Sequence, residues 1–337
     1  MKKFTYILLA LLFLTACTGV KKEKIVYPVI PSGNVVDTIF GTPVPDPYRW
    51  LEDDLSEETA AWVKEQNMVT FGYLEKIPYR EQIKERLTHM YNYEKYGMPY
   101  KEGDYTYFSK NDGLQNQYVI YRQKEGGEPE VFLDPNTFSL DGTTSLGEMG
   151  FSKDGSRVAY SISEGGSDWR KVIVMDAPLK EIIGDTLIDI KFSGIAWQGN
   201  YGFYYSSYDK PEGSGLSAMT DHHKLYYHKL GTSQSDDKVV FGADSVRRYV
   251  GGYVTEDGRY LVVTASVSTT GNELYIKDLI SKNSDFQTMV GNFNNDHYVI
   301  DNDGSKLYIV TNLDAPNVRV VTTDAGKPGV WLMLNPP

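Results

Sequence analysis

The sequence repeats itself, and the repeat constrains the fold more than any other feature. Phe151-Ser152-Lys153-Asp154-Gly155-Ser156-Arg157-Val158-Ala159-Tyr160-Ser161 returns as Val254-Thr255-Glu256-Asp257-Gly258-Arg259-Tyr260-Leu261-Val262-Val263-Thr264. It returns again as Ile300-Asp301-Asn302-Asp303-Gly304-Ser305-Lys306-Leu307-Tyr308-Ile309-Val310. A degenerate copy runs from Ala196 to Ser206 and a weaker one from Pro99 to Ser109. Successive copies stand roughly 45–58 residues apart, the length of one four-stranded propeller blade. In each clear copy an acidic residue and a glycine supply a positive-φ turn between two strands. The apolar alternation that follows faces a neighbouring blade. A blade cannot bury both faces alone, so blades must stack. The spacing predicts a mainly β protein, a propeller of about five blades. An ordinary antiparallel sandwich built from similar hairpins is the other architecture that fits.

Upstream, the period is helical. Residues 27–50 carry Pro28, Pro31, Pro43, Pro45 and Pro47, a density that blocks helix and central strand alike. Ser56 then reads as an N-cap, with Glu57 and Glu58 in the first turn. Leu55, Trp62, Val63, Val69, Tyr73 and Leu74 recur at mostly helical spacing to about residue 75. Pro78 opens a second helix, whose apolar positions are Ile83, Leu87 and Met90. From about residue 93 the period falls to two. Tyr105–Phe108 and Gln117–Tyr121 read as strands around the turn Asn111-Asp112-Gly113.

The first residues read as an address. Met1-Lys2-Lys3 is basic, and Phe4 to Leu14 is apolar but too short to span a bilayer. Leu14-Thr15-Ala16-Cys17 resembles a bacterial lipobox, in which Cys17 becomes the first mature residue and carries the lipid. That predicts a signal peptide over 1–16, a tether over 17–26, and an exported, membrane-anchored lipoprotein of a bacterial periplasm or cell envelope. Cys17 is the only cysteine, so no intrachain disulfide and no cysteine metal cluster can form. The net charge of −11 argues against a nucleic-acid partner, which would need a basic footprint. The 26 tyrosines and 31 glycines favour strands joined by tight turns.

Several strings resemble the prolyl oligopeptidase family. They are Asp46-Pro47-Tyr48-Arg49-Trp50-Leu51-Glu52-Asp53, Glu65-Gln66-Asn67, Tyr91-Asn92-Tyr93-Glu94-Lys95-Tyr96-Gly97, Asn111 to Gln117, Gly166-Ser167-Asp168-Trp169, and Lys224-Leu225-Tyr226-Tyr227-His228. They occur in family order from about residue 27 to about 329. The resemblance implies a two-domain serine peptidase that cleaves short peptides after proline. Its α/β-hydrolase domain would carry a Ser/Asp/His triad, capped by a seven-bladed propeller. Residues 27–92 would then be a helical segment packed on the hydrolase domain, with 93–329 a partial, incomplete propeller of the seven-bladed type. Residues 330–337, Val330 to Pro337, match nothing expected and are set apart as a tail; a short capping strand is the alternative.

An α/β-hydrolase needs G-x-S-x-G, which stands a serine hydroxyl above the sheet beside backbone oxyanion donors. The sequence has none. Gly165-Gly166-Ser167-Asp168-Trp169 is the nearest text and reads as a turn. Only about 25 residues follow the last copy of the repeat, against some 300 needed for two blades and a hydrolase domain. The expectation is a truncated serine-type peptidase, inactive alone, without a catalytic residue, a cofactor or a metal. Its substrate-binding residues stay unassigned. Short proline-containing peptides are the partners implied by the resemblance, and a membrane is the partner implied by Cys17.

Other clusters point less firmly. His222, His223 and His228 stand near Asp221, but without helical metal-ligand spacing. They read as solvent-facing loop and strand residues. His89 and His297 stand alone, and Tyr204-Tyr205 reads as packing between blades. Two further functions fit the pattern: a lipid-anchored propeller that binds peptide or glycan without chemistry, and a five-bladed glycosidase-like propeller with carboxylates around the axis.

Overall fold

A computed structural model describes residues 24–209 and 220–334. Cys17 and the rest of the address segment lie outside them. The chain divides into two compact units, residues 1–84 and 85–337.

In the first unit, β1 (Val36–Ile39) and β2 (Thr42–Pro45) form a hairpin around Phe40 and Gly41, both at positive φ. A two-stranded ribbon tolerates Pro43 and Pro45 because it has open edges. A 3-10 turn over Arg49–Glu52 follows, with Arg49 paired to Asp46 and Asp37. Helix α1 (Glu57–Glu75) starts where its cap predicts: the Ser56 hydroxyl accepts the Thr59 N–H at 3.1 Å. Trp62 is half-buried edge-on to Trp50, with ring centres 6.4 Å apart. Val63, Met68, Phe71 and Tyr73 are exposed, and the first three line a groove of about 570 Å³. Helix α2 (Arg80–Tyr91) spans the boundary between the units, and Ile83, Leu87 and Met90 are exposed on it.

The second unit is a series of antiparallel sheets in chain order, the first of five strands and the next four of four strands each, the arrangement of propeller blades. Blade I holds β3 (Lys95–Tyr96), β4 (Tyr100–Glu102), β5 (Tyr105–Asn111), β6 (Val119–Lys124) and β7 (Glu130–Leu133). Its order is β3-β5-β6-β7, and β4 also pairs with β5. Blade II holds β8 (Thr144–Phe151), β9 (Arg157–Glu164), β10 (Trp169–Asp176) and β11 (Glu181–Lys191). Blade III holds β12 (Ala196–Gln198), β13 (Gly202–Tyr208), β14 (His223–Lys229) and β15 (Lys238–Phe241). Blade IV holds β16 (Tyr249–Val254), β17 (Tyr260–Ser266), β18 (Glu273–Asp278) and β19 (Gln287–Val290). Blade V holds β20 (His297–Asp303), β21 (Lys306–Thr311), β22 (Arg319–Asp324) and β23 (Leu332–Met333). The last strand comes from the segment set apart as a tail, where Leu332 pairs with Thr322 and Met333 with Val321.

The core lies between blades. Val158 and Tyr160 of β9 join Tyr107 and Phe132 of blade I, whereas Ala159 between them joins Trp197 and Phe203 of blade III. Leu261 and Val263 of β17 pack toward Leu225 and Tyr204, while Tyr260 and Val262 pack toward Leu307 and Ile309. A strand whose successive residues serve two neighbours is apolar throughout, which is why the second strand of each copy reads as a continuous run. Tyr204 and Tyr205 are buried as blade packing expects.

Polar side chains lash the blades together. At the turn end, Asn200 donates to Asp154 at 2.6 Å, and Asn302 to Asp257 at 2.7 Å. Lys153 of blade II reaches Glu256 of blade IV at 2.9 Å. At the opposite end, where the third strands begin, Gln117 donates to the Thr144 carbonyl and accepts the Leu146 N–H. Asn272 likewise exchanges two hydrogen bonds with the His297 backbone.

The histidines correct a reading of the sequence. His223 and His228 are fully buried, not solvent-facing: β14 lies between β13 and β15, and the two imidazoles, five residues apart, are covered on opposite faces of that inner strand. His223 Nε2 meets the Lys191 carbonyl at 2.9 Å, and its Nδ1 accepts the Val250 N–H at 2.8 Å. One imidazole therefore ties blades II, III and IV together. His222 is half-buried against the Gly242 carbonyl. His297 is buried against Thr311, and His89 is exposed.

Candidate functional site

Gly165-Gly166-Ser167 is the turn of the β9–β10 hairpin. Both glycines have positive φ, and the Ser167 hydroxyl accepts the Trp169 N–H at 3.1 Å. That hydroxyl holds a turn and has no histidine bonded to it. His222, His223 and His228 point at separate backbone and carboxylate partners, and no group of three or more metal-ligating side chains occurs among the described residues.

The strand-head end of blades II to IV gathers aromatic rings that lie far apart in sequence. Phe192 follows β11 at φ +53° and is 48% exposed. A left-handed backbone is costly for a bulky residue, so the neighbouring structure holds this ring outward. Its centre is 5.9 Å from Tyr249 at the head of β16 and 6.3 Å from Tyr208 at the end of β13. Tyr208 stacks on His223 at 4.3 Å, and its hydroxyl donates to the Arg248 carbonyl. Burial pushes the Tyr208 hydroxyl up to about 12, so it stays a neutral donor. Cations flank the rings. Lys191, only 8% exposed, sets its ammonium 5.1 Å from the Trp169 ring and 5.3 Å from Phe192. The Arg248 guanidinium lies 6.0 Å from Tyr249. Burial holds His223 down to about 4, against a weaker opposing effect of its bond to the Lys191 carbonyl. It is neutral at pH 7 and adds no charge.

The exposed Phe192 ring and the half-buried Tyr249, with the exposed Arg248 at their edge and the buried Tyr208 and Lys191 supporting them, suit a short extended peptide: rings take an apolar side chain, and a cation takes carbonyl or carboxylate oxygens. The sequence reading missed it. Trp169, Phe192, Tyr208 and Tyr249 converge only when three blades stack. The available signal was positional, since Trp169 and Tyr249 begin strands while Tyr208 ends one and Phe192 follows one, which in antiparallel blades is the same end of the sheet.

Known proteins extend the same picture. A sequence profile described as the prolyl oligopeptidase N-terminal beta-propeller domain matches residues 28–334. The chain belongs to the prolyl oligopeptidase family. It is 56% identical over 304 residues to a prolyl endopeptidase of Elizabethkingia meningoseptica, covering 90% of this chain and 43% of that protein. It is 36% identical over 319 residues to prolyl oligopeptidase A of Amanita bisporigera, covering 85% and 42%. Among solved structures, it matches one from an analysis of two prolyl endopeptidases with a TM-score of 0.81 at 28% identity, covering 92% of this chain and 46% of that one. Prolyl oligopeptidase B of Galerina marginata, bound to a 35-residue hydrolysis and macrocyclization substrate, matches with a TM-score of 0.78 at 28% identity, covering 92% and 48%. The chain thus spans about half the length of the relatives it matches. The five blades belong to a prolyl oligopeptidase-type β-propeller.

Proposed function

We propose that this chain is the propeller-bearing part of a prolyl endopeptidase. The whole protein would hydrolyse short peptides after proline by acyl transfer to a serine. This part would admit and orient the peptide, and the Ser/Asp/His triad would come from outside these 337 residues. The observation that carries the proposal is the 56% identity to a prolyl endopeptidase, confined to 43% of that protein. The absence of G-x-S-x-G from the sequence agrees with it. So do the exposed apolar positions of α1 and α2, which a hydrolase domain would cover.

The rings of Phe192 and Tyr249 would contact the peptide on the side facing the triad. Cys17 would carry a lipid that anchors the protein to a bacterial envelope membrane. Mass spectrometry of the membrane fraction would then show a diacylglyceryl-modified N-terminus, and a soluble product with free Cys17 would exclude it.

The decisive experiment mixes or fuses this chain with the C-terminal half of the Elizabethkingia relative. The chain alone should neither cleave a proline-containing chromogenic peptide nor react with a fluorophosphonate. The assembled protein should do both. Labelling of the isolated chain at any serine would overturn the assignment. The ring cluster also fits a propeller that binds peptide without cleaving it; peptide binding with no gain of activity on assembly would select that reading.

A further inference from the structure

Two seams between blades share one register and are filled differently. Between blades I and II the filler is an arginine. Arg122 of β6 is 3% exposed and stands opposite Tyr107 of β5 and Glu130 of β7. Its Nε donates to the Glu130 carboxylate at 2.6 Å. Its two terminal nitrogens cross to blade II and donate to the carbonyls of Ala177 and Pro178. Those carbonyls belong to the turn after β10, in which the Ala177 N–H donates to the Ser156 carbonyl. The guanidinium also lies 4.2 Å from the centre of the Tyr105 ring, and the Lys124 ammonium lies 5.0 Å from it. One planar fork thus meets two successive carbonyls, a carboxylate and a ring.

The seam between blades IV and V repeats this frame position by position. β18 pairs with β19 through the same irregularity as β6 with β7, and Ile276 stands where Arg122 does, between Val262 and Gln287. Tyr260 takes the place of Tyr105, and Gln287 that of Glu130. In blade V, Asp324-Ala325-Gly326 matches Asp176-Ala177-Pro178, and the Ala325 N–H donates to the Ser305 carbonyl. The Ile276 side chain has no donor to offer the Ala325 and Gly326 carbonyls. Tyr260, Ile276, Gln287, Ala325 and Gly326 instead line a cavity of about 470 Å³.

The charge of that cavity favours a cation. Asp278, Asp285 and Asp324 line it with a single cationic side chain, Arg259. Arg259 is engaged, paired with Asp278 at 3.3 Å and 4.9 Å from the centre of the Tyr260 ring. Asp324 accepts the Ser305 hydroxyl and the Gly326 N–H, whereas its counterpart Asp176 is paired with Arg157.

We propose that the seam between blades IV and V binds the guanidinium of an arginine side chain carried by another molecule. The fork donates to the Ala325 and Gly326 carbonyls, lies against Tyr260 and is neutralised by Asp324. Tyr105, with two cations at its ring, shows that this frame accepts a second cation beside the one that Tyr260 already has. An ammonium is a point charge without the fork, so the site favours arginine over lysine.

The test is isothermal titration of the full chain with N-acetyl-arginine amide, and with N-acetyl-lysine amide as the probe of equal charge. The wild type should bind one equivalent of the arginine probe and bind the lysine probe more weakly. Gln287→Glu restores the carboxylate that Arg122 meets and should tighten arginine binding about fivefold, the worth of an exposed ion pair of good geometry. Asp324→Asn should weaken it by a similar factor. Both positions are exposed, so these variants keep the fold. Ile276→Arg supplies the guanidinium from the chain itself and should abolish binding; if it fails to fold, the two exposed variants decide. No saturable binding of the arginine probe by the wild type overturns the proposal. So does equal affinity for the lysine probe, an affinity that both exposed substitutions leave unchanged, or binding that survives in folded Ile276→Arg.

Discussion

The two helices and the five blades treat apolar residues in opposite ways. In the blades, Leu261 and Leu307 are fully buried between sheets from consecutive copies of one repeat. In the helices, Val63, Ile83 and Leu87 are about half exposed although they were read at helical spacing. Among the described residues, Trp62 Nε1 and Gln66 Nε2 of α1 are buried without a hydrogen-bond partner. The blade region supplies its own neighbours because each copy is complementary to the next. The helices carry apolar residues on faces that stay exposed.

That comparison can be broken or sharpened by measurement. The largest effect is expected in the blades. Leu261→Ala should cost about 3–4 kcal/mol, the usual result of removing a fully buried leucine from a two-sided core, read as a lowered urea midpoint at unchanged slope.

Next in size is a pH effect at the blade junction. His223 is held down to about 4, so between pH 4 and the ordinary histidine value near 6.5 the unfolded chain binds the extra proton and the folded chain does not. Its contribution is present above pH 6.5 and lost as pH falls toward 4, by about 3 kcal/mol over that window. Denaturation between pH 4 and 7 should show this rise, and His223→Gln should flatten it.

The turns should differ from one another by a smaller amount. A methyl group at Gly258 meets nothing within 4 Å, so Gly258→Ala should cost only the left-handed backbone term of about 1–2 kcal/mol. A methyl at Gly155 would lie 2.6 Å from the Gly103 nitrogen, so Gly155→Ala should cost clearly more. Paired melting curves would decide it.

The smallest change should come from the helices. Ile83→Ser should move stability by no more than about 0.5 kcal/mol in this chain, the range of an exposed position. A loss matching Leu261→Ala would end the contrast. A loss that develops only after assembly with the C-terminal half of a relative would sharpen it.

How much of this was legible follows from how local each signal is. The start of α1 at Ser56 and the turns at Asp154-Gly155 and Asp257-Gly258 depend on neighbouring residues, and the sequence shows them. The strand containing Leu225 and His228 was also legible. The burial of His228 was not, because Asp185 and Phe203, which face its ring, lie in other strands and one lies in another blade. The ring cluster around Phe192 was hidden for the same reason. The left-handed backbone at Phe192 sets that ring apart from the other rings of the cluster, and no letter in the sequence encodes it.

The close approach of Gly155 to Gly103 has a consequence for how the repeat carries information. Gly155 and Gly258 are written with the same letter at the same place in two copies, yet they answer to different constraints. At Gly258 the letter stands for a conformation, which asparagine can also adopt. At Gly155 it stands for a conformation together with the absence of a side chain, because another blade's backbone occupies that space. A consensus averaged over the copies merges the two and describes neither. Each copy is a dialect shaped by its neighbour, so an exchange of blade sequences within this chain would preserve every turn and still fail at the seam between the first and second blades.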